Sequence, residues 1–238
     1  MNLSNRFATG FTMPHHDRPD ADSPYLEPYR EAVEASGASF ESLLWHSRDY
    51  QEKRFETIVA MADPTGRVIA DLGCGRADLL AWMHAHKVAY ERYVGVEAIP
   101  EMIRFCRARA VDEKLPGAEF IEDDFATDPD AFKTLVNDHA VEQLVFSGSL
   151  NTFEEAQAMV VLERAWQAVA SARGTLVFNF LSTHHPPGAN PRPTPARRFD
   201  PSAMLNWALQ RTRLVRLRHD YLDGHDATIA MSAHKSRS

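Results

Sequence analysis

Cysteine is scarce in this sequence, and long apolar runs are missing from it. The 238 residues include two cysteines, Cys74 and Cys106, and no CxxC pair. This pattern excludes a disulfide framework and predicts free thiols in a reducing compartment, the cytoplasm. The N-terminal residues hold no apolar core of signal-peptide length, and no stretch approaches the roughly 18 apolar residues of a membrane span. We therefore expect a cytoplasmic protein with no membrane partner.

Basic residues are in deficit as well. The chain has 26 Lys and Arg residues against 33 Asp and Glu residues, a formal net charge of −7. Bulk charge therefore does not attract a phosphate backbone, which argues against a nucleic-acid partner. Residues 192–218 depart from this balance, with seven arginines and one acidic residue, Asp200. They either attract an acidic small-molecule substrate or form the solvated face of an edge strand, and we favour the second interpretation.

Apolar periodicity predicts two helices, at 24–36 and 47–62, followed by alternating strands and helices. Strands are expected at 67–73, 92–98, 118–123, 141–148 and 175–182, with helices between them at 77–87, 100–113, 128–138 and 152–170. A helix at 200–210, capped by Asp200, precedes strands at 213–221 and 226–234, which a four-residue link joins as a hairpin. The Pro-rich segment 183–199 is expected to be a loop. The fold class is therefore α/β, a seven-stranded, mostly parallel sheet with helices on both faces and an antiparallel terminal hairpin.

This order divides the chain into three parts. Residues 1–23 are polar and are predicted to be a flexible arm. Residues 24–62 form a helical cover, and residues 63–238 form the ligand-binding domain. The arm or the cover could also serve a homodimer.

The third glycine of a dinucleotide-binding loop is missing too. A predicted strand ends at Asp71 and leads into Gly73-Cys74-Gly75, but Asp78 stands where that glycine is needed. A carboxylate there would repel a pyrophosphate. S-adenosylmethionine (SAM) has no phosphate, and its ammonium and sulfonium groups are positive. Glu97, which ends the next strand, can accept hydrogen bonds from both ribose hydroxyls. The sequence therefore favours SAM over NAD.

With these motifs in place, residues 40–235 resemble the class I SAM-dependent methyltransferases. DLGCG is similar to their first motif, VEAIPEMI to their acidic second-strand motif, and FIEDDF to the segment that meets the adenine ring. The segments LWHSRDYQEKRFE, FSGSLN and FNFLS resemble a bacterial subgroup that acts on small molecules or glycans. The resemblance implies a Rossmann-like sheet of strand order 3-2-1-4-5-7-6. It also implies these cofactor-binding residues: Asp71, Gly73, Cys74, Gly75, Glu97, Ala98, Asp123 or Asp124, Phe125 and Ser147.

Arg54 is a further cofactor candidate, on the helix before the first strand. In the resembling fold this helix covers the cofactor, and an arginine there can hold the methionine carboxylate through two hydrogen bonds. The alternative for Arg54 is a surface salt bridge with Glu52 or Glu56. Trp45 is expected either to form a wall of the pocket or to pack in the core.

Methyl transfer from sulfonium is an in-line displacement, and an acceptor that carries a proton also needs a base. Asn151 follows the fourth strand and is a candidate for orienting the acceptor. His184, in the loop after the fifth strand, is the first candidate for the base, with a solvated loop histidine as the alternative. His219, with Asp220, ends the sixth strand close to His225 and Asp226. A His–Asp pair there could be a tuned base, or it could simply cap the hairpin.

The sequence therefore predicts a SAM-dependent methyltransferase that acts on O or N of a small-molecule or glycan-intermediate acceptor and releases S-adenosylhomocysteine. No metal is expected, because the pairs His15-His16 and His184-His185 lack partners at ligand spacing. An RNA methyltransferase is one alternative. The negative net charge argues against it, as does the absence of an NPPY-like tetrapeptide after the fourth strand. A non-catalytic binding protein of the same fold is the other.

Overall fold

Strands and helices alternate along the chain in the computed structural model, which describes residues 23–185 and 195–233. Two helices, α1 (Glu27–Ser36) and α2 (Arg48–Met61), come first, with a short 3₁₀ helix at Glu41–Leu43 between them. The alternating part is β1 (Val68–Leu72), α3 (Asp78–Ala85), β2 (Arg92–Glu97), α4 (Pro100–Asp112), β3 (Ala118–Glu122), α5 (Ala131–Asn137), β4 (Gln143–Phe146), α6 (Glu155–Ser171) and β5 (Thr175–Leu181). The last elements are α7 (Pro201–Leu209), β6 (Leu214–Arg218), a 3₁₀ turn at Leu222–Gly224, and β7 (Asp226–Ser232).

The seven strands form one sheet in the order β3-β2-β1-β4-β5-β7-β6. The five strands β1 to β5 pair in parallel, and β7 runs antiparallel to both β5 and β6. The strand order and the antiparallel terminal hairpin are both as predicted, and the α/β fold class is confirmed. Because β1 to β5 are parallel, their carboxyl ends meet along one edge of the sheet, where open α/β sheets bind their ligands.

Helices cover both faces of the sheet, so its central strands are apolar on both sides. All five residues of β1 and all seven of β5 are buried. Helices α5, α6 and α7 pack on one face through residues such as Phe132, Leu162 and Trp207. Helices α2, α3 and α4 pack on the other through residues such as Ile58, Leu80 and Ile103. This two-sided core fixes the sheet edge from which the site is built.

The predicted boundaries shift by a few residues at several elements. Strand β4 is shorter than predicted because the chain turns at Gly148, whose φ of 78° leaves the extended region. Asp200 does cap α7, since its side chain accepts a hydrogen bond from the Ser202 backbone N–H. Most of the predicted arm, residues 1–22, lies outside the described residues, as do 186–194 of the Pro-rich segment. Ser23 is buried. Within the described ranges, no helix is long and apolar enough to span a membrane.

Candidate functional site

A cavity of about 440 Å³ lies beyond the carboxyl ends of the parallel strands. The sheet side of its wall is formed by the loops that follow β1, β2, β3 and β4, together with Leu181 and His225. The opposite wall comes from the chain before β1 and is largely aromatic and aliphatic, with Tyr25, Leu26, Tyr29, Leu43, Leu44 and Trp45. These residues all belong to segment 24–62, whose role as a helical cover stays a prediction.

Two glycines of the first loop allow close packing around it, by Leu43 of segment 24–62 at Gly75 and by Ser149 of the loop after β4 at Gly73. Gly73 and Gly75 have φ values of 74° and 55°, which side chains other than glycine rarely adopt. A Cβ atom on Gly75 would lie 2.6 Å from Cδ2 of Leu43, and one on Gly73 would lie 2.7 Å from Cβ of Ser149. Both glycines line the cavity. The loop thus presents bare backbone to whatever occupies the cavity.

Glu97 ends β2 beside this loop, and its buried carboxylate belongs to the cavity wall. One carboxylate oxygen accepts a hydrogen bond from the Gly75 backbone N–H at 3.0 Å, and the other accepts one from the Ile99 backbone N–H at 3.0 Å. Burial raises the pKa of Glu97, and the backbone N–H groups oppose that shift by favouring the charged form. Because each carboxylate oxygen can accept more than one hydrogen bond, Glu97 retains capacity for a ligand.

Asp124 follows β3 and also belongs to the wall, together with Phe125, whereas Asp123 does not. The buried Asp124 carboxylate accepts hydrogen bonds from the Ser23 hydroxyl at 3.0 Å and from the Tyr25 hydroxyl. Burial and the neighbouring Asp124 raise the pKa of Tyr25. Asp124, which is predicted to contact the adenine ring, is therefore hydrogen-bonded to the N-terminal segment. Nothing in the local sequence indicates these hydrogen bonds.

Asp71, in β1, and Cys74, within the glycine loop, are not among the residues of the cavity wall. Asp71 is buried and accepts a hydrogen bond from the Tyr93 hydroxyl at 2.6 Å; burial raises its pKa to about 7. Cys74 is buried close to Cys106, and this neighbour together with burial raises the pKa of the Cys74 thiol. Both side chains are therefore directed into the protein interior and anchor the loop there.

Arg54 on α2 is a buried wall residue, 4% exposed. Its Nε donates to Oδ2 of Asp226 at the start of β7, and its guanidinium lies 4.4 Å from the centroid of the Trp45 ring. The surface salt bridge with Glu52 or Glu56 was the wrong alternative. Neither Nη atom of Arg54 has a hydrogen-bond partner among residues 23–185 and 195–233. A buried guanidinium with unused donors in a cavity wall can bind an anionic group.

His225 joins the same network from the hairpin and also lines the cavity. Its Nδ1 lies 2.5 Å from Oδ1 of Asp226, and its Nε2 lies 3.1 Å from Nη2 of Arg198. His225 and Asp226 were predicted to lie near His219, but neither was predicted to be a site residue. The adjacency of His225 and Asp226 in the sequence was the one feature that could have indicated this pair. It does not predict their contacts with Arg54 and Arg198.

The other polar candidates are divided between the wall and the surface. Asn151, Ser147 and Ala98 line the cavity, and Oδ1 of Asn151 accepts a hydrogen bond from the Leu181 backbone N–H at 3.3 Å. His184 and His219 do not line it. The His184 side chain is 59% exposed, with Nε2 at 3.7 Å from Asp200, and Nε2 of His219 lies 3.0 Å from the carbonyl oxygen of Gly224.

The arginines of segment 192–218 are scattered, and Arg192 is outside the described residues. Arg197, Arg211 and Arg218 pair with the acidic residues Glu154, Glu163 and Asp220, whereas Arg213 and Arg216 are exposed. Among those described, Arg198 is the arginine whose side chain hydrogen-bonds a residue of the cavity wall. In the described ranges no group of three or more His, Cys, Asp or Glu side chains is arranged to hold a metal ion.

Residues 69–172 match the sequence profile of a family described as methyltransferase domain. No curated protein matches the chain significantly. A SAM-dependent methyltransferase from Aquifex aeolicus is similar in structure, with a TM-score of 0.56 and 13% identity over 79% of this chain and 94% of that one.

Two further solved structures are similar. An O-methyltransferase from neocarzinostatin biosynthesis, solved with SAM and 2-hydroxy-5-methyl naphthoic acid, has a TM-score of 0.61 and 18% identity over 86% of this chain and 61% of that one. An O-methyltransferase family protein from Burkholderia thailandensis has a TM-score of 0.54 and 14% identity over 90% of this chain and 72% of that one. The profile match indicates a methyltransferase domain within residues 69–172, as predicted, and the solved structures show that the chain shares their fold.

Proposed function

We propose that this protein transfers the methyl group of SAM to an oxygen or nitrogen atom of a small-molecule acceptor, with both molecules in the cavity. The observation that carries this proposal is the position of Glu97, a buried carboxylate at the end of β2 that faces the cavity beside the bare loop of Gly73 and Gly75. A carboxylate in that position suits the ribose hydroxyls of the cofactor.

The wall residues can be assigned to parts of the cofactor. Glu97 accepts the ribose hydroxyls, and Asp124 with Phe125 meets the adenine ring. The unused Nη donors of Arg54 hold the methionine carboxylate. Smaller wall groups complete the cofactor contacts, namely Gly73, Gly75, Ala98 and Ser147. Asp71 and Cys74 act indirectly, because they anchor the loop in the protein interior.

Transfer then depends chiefly on alignment. A lone pair of the acceptor attacks the methyl carbon, the bond from that carbon to sulfur breaks, and S-adenosylhomocysteine leaves while the acceptor loses its proton. Asn151 lies in the wall near the end of β5 and is the proposed orienting residue. His184 and His219 stay sequence-based proposals for the base, each with its side chain outside the cavity wall. The aromatic cover keeps water from the reacting atoms.

Two other predictions stay open. The buried free thiols of Cys74 and Cys106 are consistent with the proposed cytoplasmic location. A homodimer stays a prediction that rests on the sequence.

Calorimetric titration with SAM and with S-adenosylhomocysteine tests the cofactor assignment, and transfer of a radiolabelled methyl group to a panel of small acids, phenols and amines tests the reaction. We expect both ligands to bind and at least one panel member to be methylated. Failure of the folded protein to bind either ligand would contradict the assignment. Binding of both ligands without transfer to any panel member would favour the non-catalytic binding protein.

A further inference from the structure

Asp226 is a shared counter-ion between two arginines. Its side chain is 1% exposed, and each of its oxygens is already used, Oδ2 by Arg54 and Oδ1 by His225. Although burial alone would raise the pKa of Asp226, the charge of Arg54 and the hydrogen bonds keep it below its usual value, so this carboxyl is ionised. The Asp226 carboxylate is therefore the negative charge nearest to both Arg54 and Arg198 in this group of side chains.

Arg198 has no carboxylate of its own in the described structure. Its Nη1 donates to the carbonyl oxygens of Ser182 at 2.8 Å and His225 at 3.4 Å, and its Nη2 donates to Nε2 of His225 at 3.1 Å. All of these acceptors are neutral. Partial burial lowers the pKa of Arg198, while the charge of Asp226 opposes that shift. A partly buried guanidinium in neutral surroundings is incompletely compensated, because burial of a charge is costly unless it is paired.

The neighbours of His225 fix the roles of its two ring nitrogens. A carboxylate is an acceptor only, so the proton lies on Nδ1, which donates to Asp226. Arginine is a donor only, so Nε2 accepts from Arg198. Because Asp226 is paired with Arg54, no carboxylate of the described residues is paired with Arg198. Glu97 and Asp124 are the acidic residues of the described cavity wall.

We propose that the methyl acceptor carries a carboxylate or phosphate group, which binds at the end of the cavity where Arg198 and His225 meet. This inference rests on the proposed function, because it places the acceptor in the space that the cofactor leaves. Arg198 is not itself a wall residue, but its hydrogen-bond partner His225 is, as are Pro195 and Ala196, which precede Arg198 closely in the chain. The aromatic cover, with Tyr29 and Trp45, suits an aromatic or aliphatic body attached to the anion.

The His225–Asp226 pair also has the arrangement of a general base, but the contacts assign it a different role. A base needs the lone pair of Nε2, and here that lone pair is directed at Arg198. His225 is therefore a positioning residue that fixes Arg198 at the cavity.

Ligand-observed ¹⁹F NMR on protein saturated with S-adenosylhomocysteine tests the inference. The probes are 4-fluorobenzoate and its neutral isostere 4-fluorobenzamide. We expect the carboxylate to bind at least about tenfold more tightly than the amide, because a charge-assisted contact is much stronger than a neutral one. Arg198→Gln should abolish this preference by weakening the binding of 4-fluorobenzoate alone, and Arg198→Lys should retain part of it.

The matched control is Arg213→Gln, which removes a charge from an exposed arginine of the same segment and should leave both probe affinities unchanged. Equal binding of the two probes by the wild-type protein would overturn the inference, as would an undiminished preference in Arg198→Gln. Binding of S-adenosylhomocysteine is measured first on each sample. Loss of that binding in the wild-type protein would instead refute the proposed function, so the two failures are distinguishable.

Discussion

Replacement of Glu97 by alanine should weaken the binding of S-adenosylhomocysteine severely. The proposed contacts are two hydrogen bonds from the ribose hydroxyls to a buried carboxylate. Hydrogen bonds to charged groups contribute about 1.5–3 kcal/mol each, so the loss of two is about 3–6 kcal/mol. Since about 1.4 kcal/mol corresponds to a tenfold change in affinity, the dissociation constant should rise by roughly 100-fold or more.

The same substitution should also lower the stability of the protein without ligand. The backbone N–H groups of Gly75 and Ile99 both donate to Glu97, and alanine would leave them without that acceptor. A buried donor without a partner costs about 1–3 kcal/mol. Glu97→Gln keeps one acceptor oxygen and the side-chain shape, so it should fall between wild type and Glu97→Ala in both properties.

Calorimetric titration with S-adenosylhomocysteine, after urea unfolding has identified conditions in which each variant is folded, separates the two effects. Glu101→Gln is the matched control, because Glu101 is an exposed glutamate on α4 that pairs with Arg104. It should change neither property appreciably. A folded Glu97→Ala protein that binds the ligand as tightly as wild type would refute the cofactor assignment.

Three further substitutions test other parts of the site. Burial raises the pKa of Asp71 to about 7. The protonated carboxyl therefore stabilises the folded state fully below about pH 4, and this contribution, at most ~4 kcal/mol, is lost as the pH rises through about 7. Asp71→Asn should remove this pH dependence from the free energy of unfolding in urea. Arg54→Met leaves Asp226 buried without its cation and should lower the free energy of unfolding by about 3–5 kcal/mol, a loss that a second substitution, Asp226→Asn, should partly restore. Gly148→Ala places a Cβ atom 2.8 Å from the Trp45 ring and should shift tryptophan fluorescence and weaken ligand binding.

The three substitutions can be checked by the following contrary results and by one control variant. An unaltered pH slope in Asp71→Asn would mean that another group titrates there. Strictly additive losses in the Arg54 and Asp226 double substitution would mean that the two side chains do not interact. Gly37→Ala matches the positive φ of Gly148, at 65°, but has open space around its Cβ position. It should therefore show the backbone strain alone, without the change in ligand binding.

Much of the fold could be predicted because local patterns determine it. Strand β5 is apolar throughout, and helix α4 begins at Pro100, where a missing N–H has little cost. The parallel arrangement then follows from the alternation of strands and helices. Even so, β4 was predicted too long, since the strand-like pattern continues into Ser147 while the chain already turns at Gly148.

The site was only partly predictable, because its polar contacts join distant parts of the chain. Glu97 ends a strand beside the glycine loop, and that placement follows from the local pattern. The contact between Tyr25 and Asp124 spans 99 residues, and no periodicity in either segment points to the other. The direction of the His184 side chain in its loop is likewise set by tertiary contacts, which sequence spacing does not encode.

The buried pair of Arg54 and Asp226 has a consequence for biosynthesis. The two residues are separated by 172 positions in the sequence. During translation Arg54 therefore leaves the ribosome well before its counter-ion exists, and α2 has no buried position for that charge until β7 has been made. Closing so long a loop costs on the order of 4–5 kcal/mol of chain entropy. The sheet from β1 to β5 can consequently form before the cavity does, and the cavity wall is completed among the last steps of folding.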